Sequence, residues 1–304
     1  MPQAAEGSKA KRERTQRSWL ATRAVRSPGP ALWTAIGVAI AAMRRAPPGP
    51  RTPLSGTESM QCSLAVGNPL GARISFLRAG DPAGPCVVLV HGTPGSAAGW
   101  ADCLASPPPG TEVVALDRPG FGASAPDGAV PSLAAQAAAV IALLPTDGRP
   151  VVLLGHSLGA PIAAWAAAQL AGERPERSVN IVMLAGSLDP AQERVHALQR
   201  VGAWAPVHWL LPRAIRNANA ELMALKPELE ALGTILPSVK AKVVIVHGTA
   251  DDLVPVANVA YMQERFSGAR CISIVLLEGR NHFLPWNSEG AVREALRVAL
   301  ERSC

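Results

Sequence analysis

The chain has 304 residues, 48% of them hydrophobic and 17% charged, which is too apolar for disorder throughout its length. Its net charge of +6 belongs to a tail. Residues 1–51 carry ten basic and two acidic side chains, whereas residues 52–304 carry 19 and 21. A near-neutral folded part with 4% aromatics and one tyrosine, Tyr261, excludes a nucleic-acid partner from its expected functions.

Residues 1–18 are polar and basic and are expected to be disordered. Residues 31–43 form a mostly apolar run closed by Arg44-Arg45 and a Pro-rich stretch. A bilayer span needs about 20 apolar residues. A signal peptide would carry a small-residue cleavage site where the arginine pair stands, and a twin-Arg signal would place its pair ahead of the run. Three readings of residues 1–51 stay open: an irregular extension, a basic segment contacting a membrane surface, and an Arg-rich leader. Localisation is accordingly cytoplasmic, or membrane-associated through this segment. The five cysteines (Cys62, Cys86, Cys103, Cys271, Cys304) form neither CxxC nor Cys/His metal spacing. They are expected to be reduced, with no metal site, no cofactor and no disulfide framework.

From residue 72 short β-branched runs alternate with Ala-rich helical stretches. Strands are expected at 73–78, 87–90, 113–116, 151–154, 181–184, 243–246 and 272–277, with helices at 132–144 and 158–170. Continuous apolar strands separated by helices predict an α/β fold, a mostly parallel central sheet covered by helices on both faces.

In such sheets ligands sit beyond the carboxyl ends of the strands. The run 151–154 is followed by Gly155-His156-Ser157-Leu158-Gly159, a G-x-S-x-G turn between strand and helix. That context is the one a nucleophile elbow requires. His91-Gly92-Thr93-Pro94-Gly95 follows the run 87–90, so the N–H groups of Thr93 and Leu158 are candidate oxyanion donors. Asp251 and His282 follow the last two strands, giving the order Ser157, Asp251, His282.

Five segments, HGTPGS (91–96), DRPGFGAS (117–124), GHSLG (155–159), GTADDLVP (248–255) and GRNH (279–282), together resemble the α/β-hydrolase superfamily over about residues 70–302. The resemblance lies closest to its esterase, lipase and haloperoxidase-like members. It implies Ser157 as nucleophile, His282 as general base and Asp251 as the acid that orients it. Asp252 and Asp189 are the alternative acids. His156, His91 and His247 are read as structural, His196 and His208 as surface or cap residues, and Asp117 with Arg118 as a structural pair.

Residues 187–238 fall in a gap of about 58 residues between strands, where the superfamily places a small helical lid. Helical spacing is expected at 215–225 and 229–236. Trp204 and Trp209 are candidates for substrate binding, and Glu221, Lys226, Glu228 and Glu230 suit a solvated helix face. The expected function is a serine hydrolase cleaving a small-molecule carboxylic ester with an apolar or lipid-like acyl group. The alternatives are a carbon–carbon bond hydrolase or perhydrolase with the same three residues, and a non-catalytic binding member of the fold. Oligomeric state is left open.

Overall fold

All seven expected strands are present: six coincide with mostly apolar runs, and the alternating stretch 73–78 lies within a longer strand. The central apolar runs are buried on both faces. The structure is a computed structural model describing residues 57–64, 68–301 and 303–304. The readings made of residues 1–51 lie outside the described residues. Strands β1 (Thr57–Leu64) and β2 (Asn68–Gly80) form an antiparallel pair that carries the sheet back ahead of the boundary expected at residue 70. Strands β3 (Cys86–Val90), β4 (Glu112–Leu116), β5 (Val151–His156), β6 (Val179–Leu184), β7 (Lys242–Gly248) and β8 (Cys271–Leu277) run parallel to one another. The sheet order is β1-β2-β4-β3-β5-β6-β7-β8.

Helices among the described residues are α1 (Ala101–Ala105), α2 (Leu133–Ala142), α3 (Gly159–Glu173), α4 (Ala197–Ala203), α5 (Ala205–Leu210), α6 (Arg213–Ile235), α7 (Ala257–Arg265), α8 (Leu284–Asn287) and α9 (Glu289–Leu300). One sheet face buries Val88, Val90, Leu153, Ile181 and Ile245 beneath α2, α3 and the Leu225, Leu229 and Leu232 side of α6. The other buries Val87, Leu89, Leu154, Val182 and Val246 beneath α1 and the Val292, Ala295, Leu296 and Ala299 side of α9.

The chain leaves β3 for β4 on one side, then returns to pair β5 on the other. Strands β3 and β5 therefore flank the topological switch point. The carboxyl ends at such a point are where ligands enter open parallel sheets.

Two expectations need correction. The stretches 215–225 and 229–236 are one 23-residue helix, α6, which continues through Pro227. Proline forfeits one helical hydrogen bond, and leucines buried on either side of it hold the helix together. The cysteines are not all reduced: Cys271 at the start of β8 is bonded to Cys304, with Cα atoms 6.1 Å apart. Only the return of α9 across the sheet brings the C-terminus to this edge strand, and Lys242 Nζ of the neighbouring β7 donates to the Val298 carbonyl at 2.7 Å and the Ser303 carbonyl at 2.6 Å. Cys86 and Cys103 are free and buried, and burial pushes their thiols up to about 12 and about 11.

Candidate active site

Ser157 occupies the turn between β5 and α3 with φ +55°, one of two positive-φ residues other than glycine among the described residues. Its amide donates to the Leu184 carbonyl at 2.9 Å and its carbonyl accepts from Ala160 N–H at 3.0 Å. The chain is thus held from both sides in a conformation that L-residues avoid. The flanking glycines are steric requirements. A Cβ at Gly155 would lie 2.3 Å from the Gly159 carbonyl oxygen, and one at Gly159 would lie 2.2 Å from the Val90 carbonyl oxygen of β3. Ser157 is partly exposed, while the residues on either side of it are buried. Its Oγ takes no hydrogen-bond partner among the described residues.

Asp251 and His282 come together. His282 Nδ1–H donates to Asp251 Oδ2 at 2.8 Å, and the carboxylate is fully buried. Oδ1 of Asp251 accepts the amides of Leu253 at 2.9 Å and Val254 at 2.8 Å, so both oxygens are engaged and the carboxylate cannot rotate freely. His247 Nε2 stands 3.6 Å from Asp251, but burial lowers its pKa and keeps it neutral. Its N–H goes to the Val254 carbonyl at 2.9 Å, closing the loop that carries Asp251.

His156, next to Ser157, packs its ring 4.9 Å from that of His282 and donates Nε2–H to the His282 carbonyl at 2.9 Å. Burial, reinforced by the nearby His282, lowers its pKa to about 3. It is a neutral brace that ties the His282 loop to the serine turn.

The other candidate acids lie apart from this pair. Asp189 caps its own turn through Ala191 N–H at 2.9 Å, and Asp252 is exposed. Asp117 accepts the amides of Ala97 at 2.8 Å and Ala123 at 2.9 Å and is structural. Trp204 and Trp209 are 64% and 74% exposed. The contact of the Trp209 ring with the Arg216 guanidinium, 5.7 Å from its centroid, is on the surface of the insertion.

Thr93 and Leu158 carry the two candidate donor amides. A Cβ on Gly92 would come within 2.9 Å of Ser157 Cβ, so the Thr93 turn runs directly beside the serine. Neither amide is a donor in the backbone hydrogen-bond network of the described residues. The Thr93 hydroxyl is turned away, donating to Glu221 Oε2 of α6 at 2.6 Å.

Glu221 corrects the reading of α6 as a solvated charged face. It is 2% exposed and paired with Arg118, which is 0% exposed. Gln136 of α2 donates to the same carboxylate at 3.0 Å. Charges at 221, 226, 228 and 230 look alike in sequence, and Glu228 is likewise engaged, accepting Leu133 N–H at 2.7 Å. The one sequence signal for a buried partner was Arg118 in an otherwise Gly-rich segment, which needs an anion once it is enclosed.

A family model described as alpha/beta hydrolase family matches residues 87–295, the span from β3 into α9. A pimeloyl-[acyl-carrier protein] methyl ester esterase of Aeromonas hydrophila subsp. hydrophila is 31% identical over 242 residues, covering 66% of this chain and 89% of that protein. Among solved structures, a Paleococcus ferrophilus monoacylglycerol lipase superposes with TM-score 0.59 at 21% identity, over 76% of this chain and 99% of that one. A bacterial membrane phospholipase A does so with TM-score 0.58 at 20% identity, over 90% and 98%. With the sheet order, the serine turn and these likenesses in agreement, the chain belongs to the alpha/beta hydrolase family.

Proposed function

We propose that the protein is a serine hydrolase that cleaves carboxylic esters through an acyl-enzyme intermediate. The observation that carries this reading is the buried His282–Asp251 pair, with Nδ1 to Oδ2 at 2.8 Å, at the same sheet edge as a serine held at φ +55°. With Nδ1–H committed to Asp251, the other ring nitrogen, Nε2, is left free to accept a proton. Ser157 Oγ attacks the ester carbonyl and gives its proton to His282, while Asp251 steadies the imidazolium that forms. The tetrahedral oxygen takes hydrogen bonds from Thr93 and Leu158 N–H, the latter at the positive end of α3. His282 then protonates the departing alcohol, and water repeats the sequence to release the acid.

The esterase relative, which acts on a methyl ester, supports carboxylic esters as the substrate class. The expected acyl group is apolar. Ser157→Ala should lower turnover of p-nitrophenyl esters at least about 10⁴-fold, and a fluorophosphonate probe should label wild type but not the variant. Wild-type rates in Ser157→Ala, or labelling elsewhere, would reject the reading. A panel of esters of graded acyl length, assayed with both proteins, would define the acyl preference.

A further inference from the structure

We infer that Arg118 and Glu221 are positioning residues that aim the Gly92–Thr93 peptide, so that the insertion helix α6 sets one of the two oxyanion donors. The inference rests on the serine hydrolase reading and adds to it a pair of residues outside the reacting set.

The Gly92 carbonyl and the Thr93 N–H belong to one planar trans peptide and point in opposite directions. Two donors hold that carbonyl: Arg118 Nη2–H at 3.0 Å and His91 Nδ1–H at 2.7 Å. His91 is fixed in this tautomer because its Nε2 accepts the Arg118 amide at 3.0 Å. Burial, reinforced by the Arg118 charge, lowers its pKa and keeps the ring neutral. With its carbonyl fixed in this way, the peptide presents its N–H on the opposite side. Hydrogen bonding to a carbonyl also polarises the amide it is joined to, strengthening that N–H as a donor.

Glu221 completes the clamp. Its Oε1 accepts Arg118 Nη1–H at 2.8 Å and Oε2 accepts Arg118 Nη2–H at 3.0 Å, a two-pronged pair that fixes the guanidinium plane. Oε2 also takes the Thr93 hydroxyl at 2.6 Å, so the residue whose N–H is used is held at its side chain as well. Buried ion pairs are poor contributors to stability, because removing two charges from water offsets their attraction. This pair is instead placed to define a geometry, and three segments distant in sequence meet in it: residues 91–93, Arg118 and α6.

The test combines Glu221→Gln, Thr93→Val and Thr93→Ser with a control, Leu225→Ala, which loosens α6 without touching the network. With p-nitrophenyl esters, Glu221→Gln should lower kcat about 10–100-fold with KM within about twofold. Thr93→Val, which leaves the ion pair whole, should lose about 10-fold, and Thr93→Ser should regain most of that loss. Inhibition by a trifluoromethyl ketone, whose serine adduct carries an oxyanion, should weaken by the same factor as kcat/KM. Leu225→Ala should lower thermal stability while keeping kcat. The inference is overturned if folded Glu221→Gln and Thr93→Val keep wild-type kcat. It is equally overturned if Leu225→Ala loses kcat by a comparable factor, or if ketone inhibition does not move. Wild type lacking Ser157-dependent turnover would instead remove the functional reading, and this inference with it.

Discussion

At φ +55° Ser157 carries backbone strain of about 1–2 kcal/mol, and its surroundings impose it. Gly155 and Gly159 leave room for strand, turn and helix to approach within contact distance, and two backbone hydrogen bonds lock the serine between them. The glycines and the serine at the turn between strand and helix were legible in sequence. The sequence pointed to Asp251 as the partner of His282 but left Asp189 and Asp252 as alternatives, because each of the three follows a strand. Asp251 alone of the three reaches His282. Asp251→Asn is therefore expected to lower kcat about 10³–10⁴-fold, since an amide cannot hold the same tautomer of the ring. Asp189→Asn, which alters only a turn cap, should stay within a few-fold of wild type. Comparable losses in both variants would argue against this assignment.

At the scale of elements, periodicity located α6 but not what each side of it faces. Its charged positions were indistinguishable in sequence, yet Glu221 is enclosed against Arg118 and Glu228 holds the first turn of α2. Burial of a charge depends on partners more than a hundred residues away, here 103 for Arg118 and Glu221. The disulfide has the same character. Cys271 and Cys304 are 33 residues apart with no motif between them, and only the packing of α9 against the sheet brings them together. Closing a loop of that length restricts the unfolded chain, so Cys304→Ser should cost roughly 1–4 kcal/mol of stability. Urea midpoints measured with and without dithiothreitol would check it: wild type should shift on reduction and the variant should not. Equal midpoints in all four samples would count against the bond.

Three buried histidines give the whole molecule an expected acid response. His91, His156 and His247 are all held neutral by burial, His156 down to about 3. An unfolded histidine titrates near 6.5. As pH falls below that value the unfolded chain binds protons that the folded chain refuses, so stability declines. For His156 the decline continues towards pH 3, and above about 6.5 the contribution is complete and flat. Each such group adds a slope of up to about 1.4 kcal/mol per pH unit. The urea midpoint should therefore drop between pH 6.5 and 4.5, and His156→Asn should remove about one proton's share of that slope. An unchanged slope would mean that the fold accepts a charged His156.

The sequence by itself determined the strand–helix alternation, the G-x-S-x-G turn and the seat of the excess positive charge, because each is a property of a short stretch of chain. The tertiary structure decided which acid meets His282, which helix charge is buried, where the last cysteine bonds and how the Thr93 peptide is held. Those outcomes are set by contacts between segments far apart in the chain. Local spacing cannot specify them until the sheet order has brought the segments together.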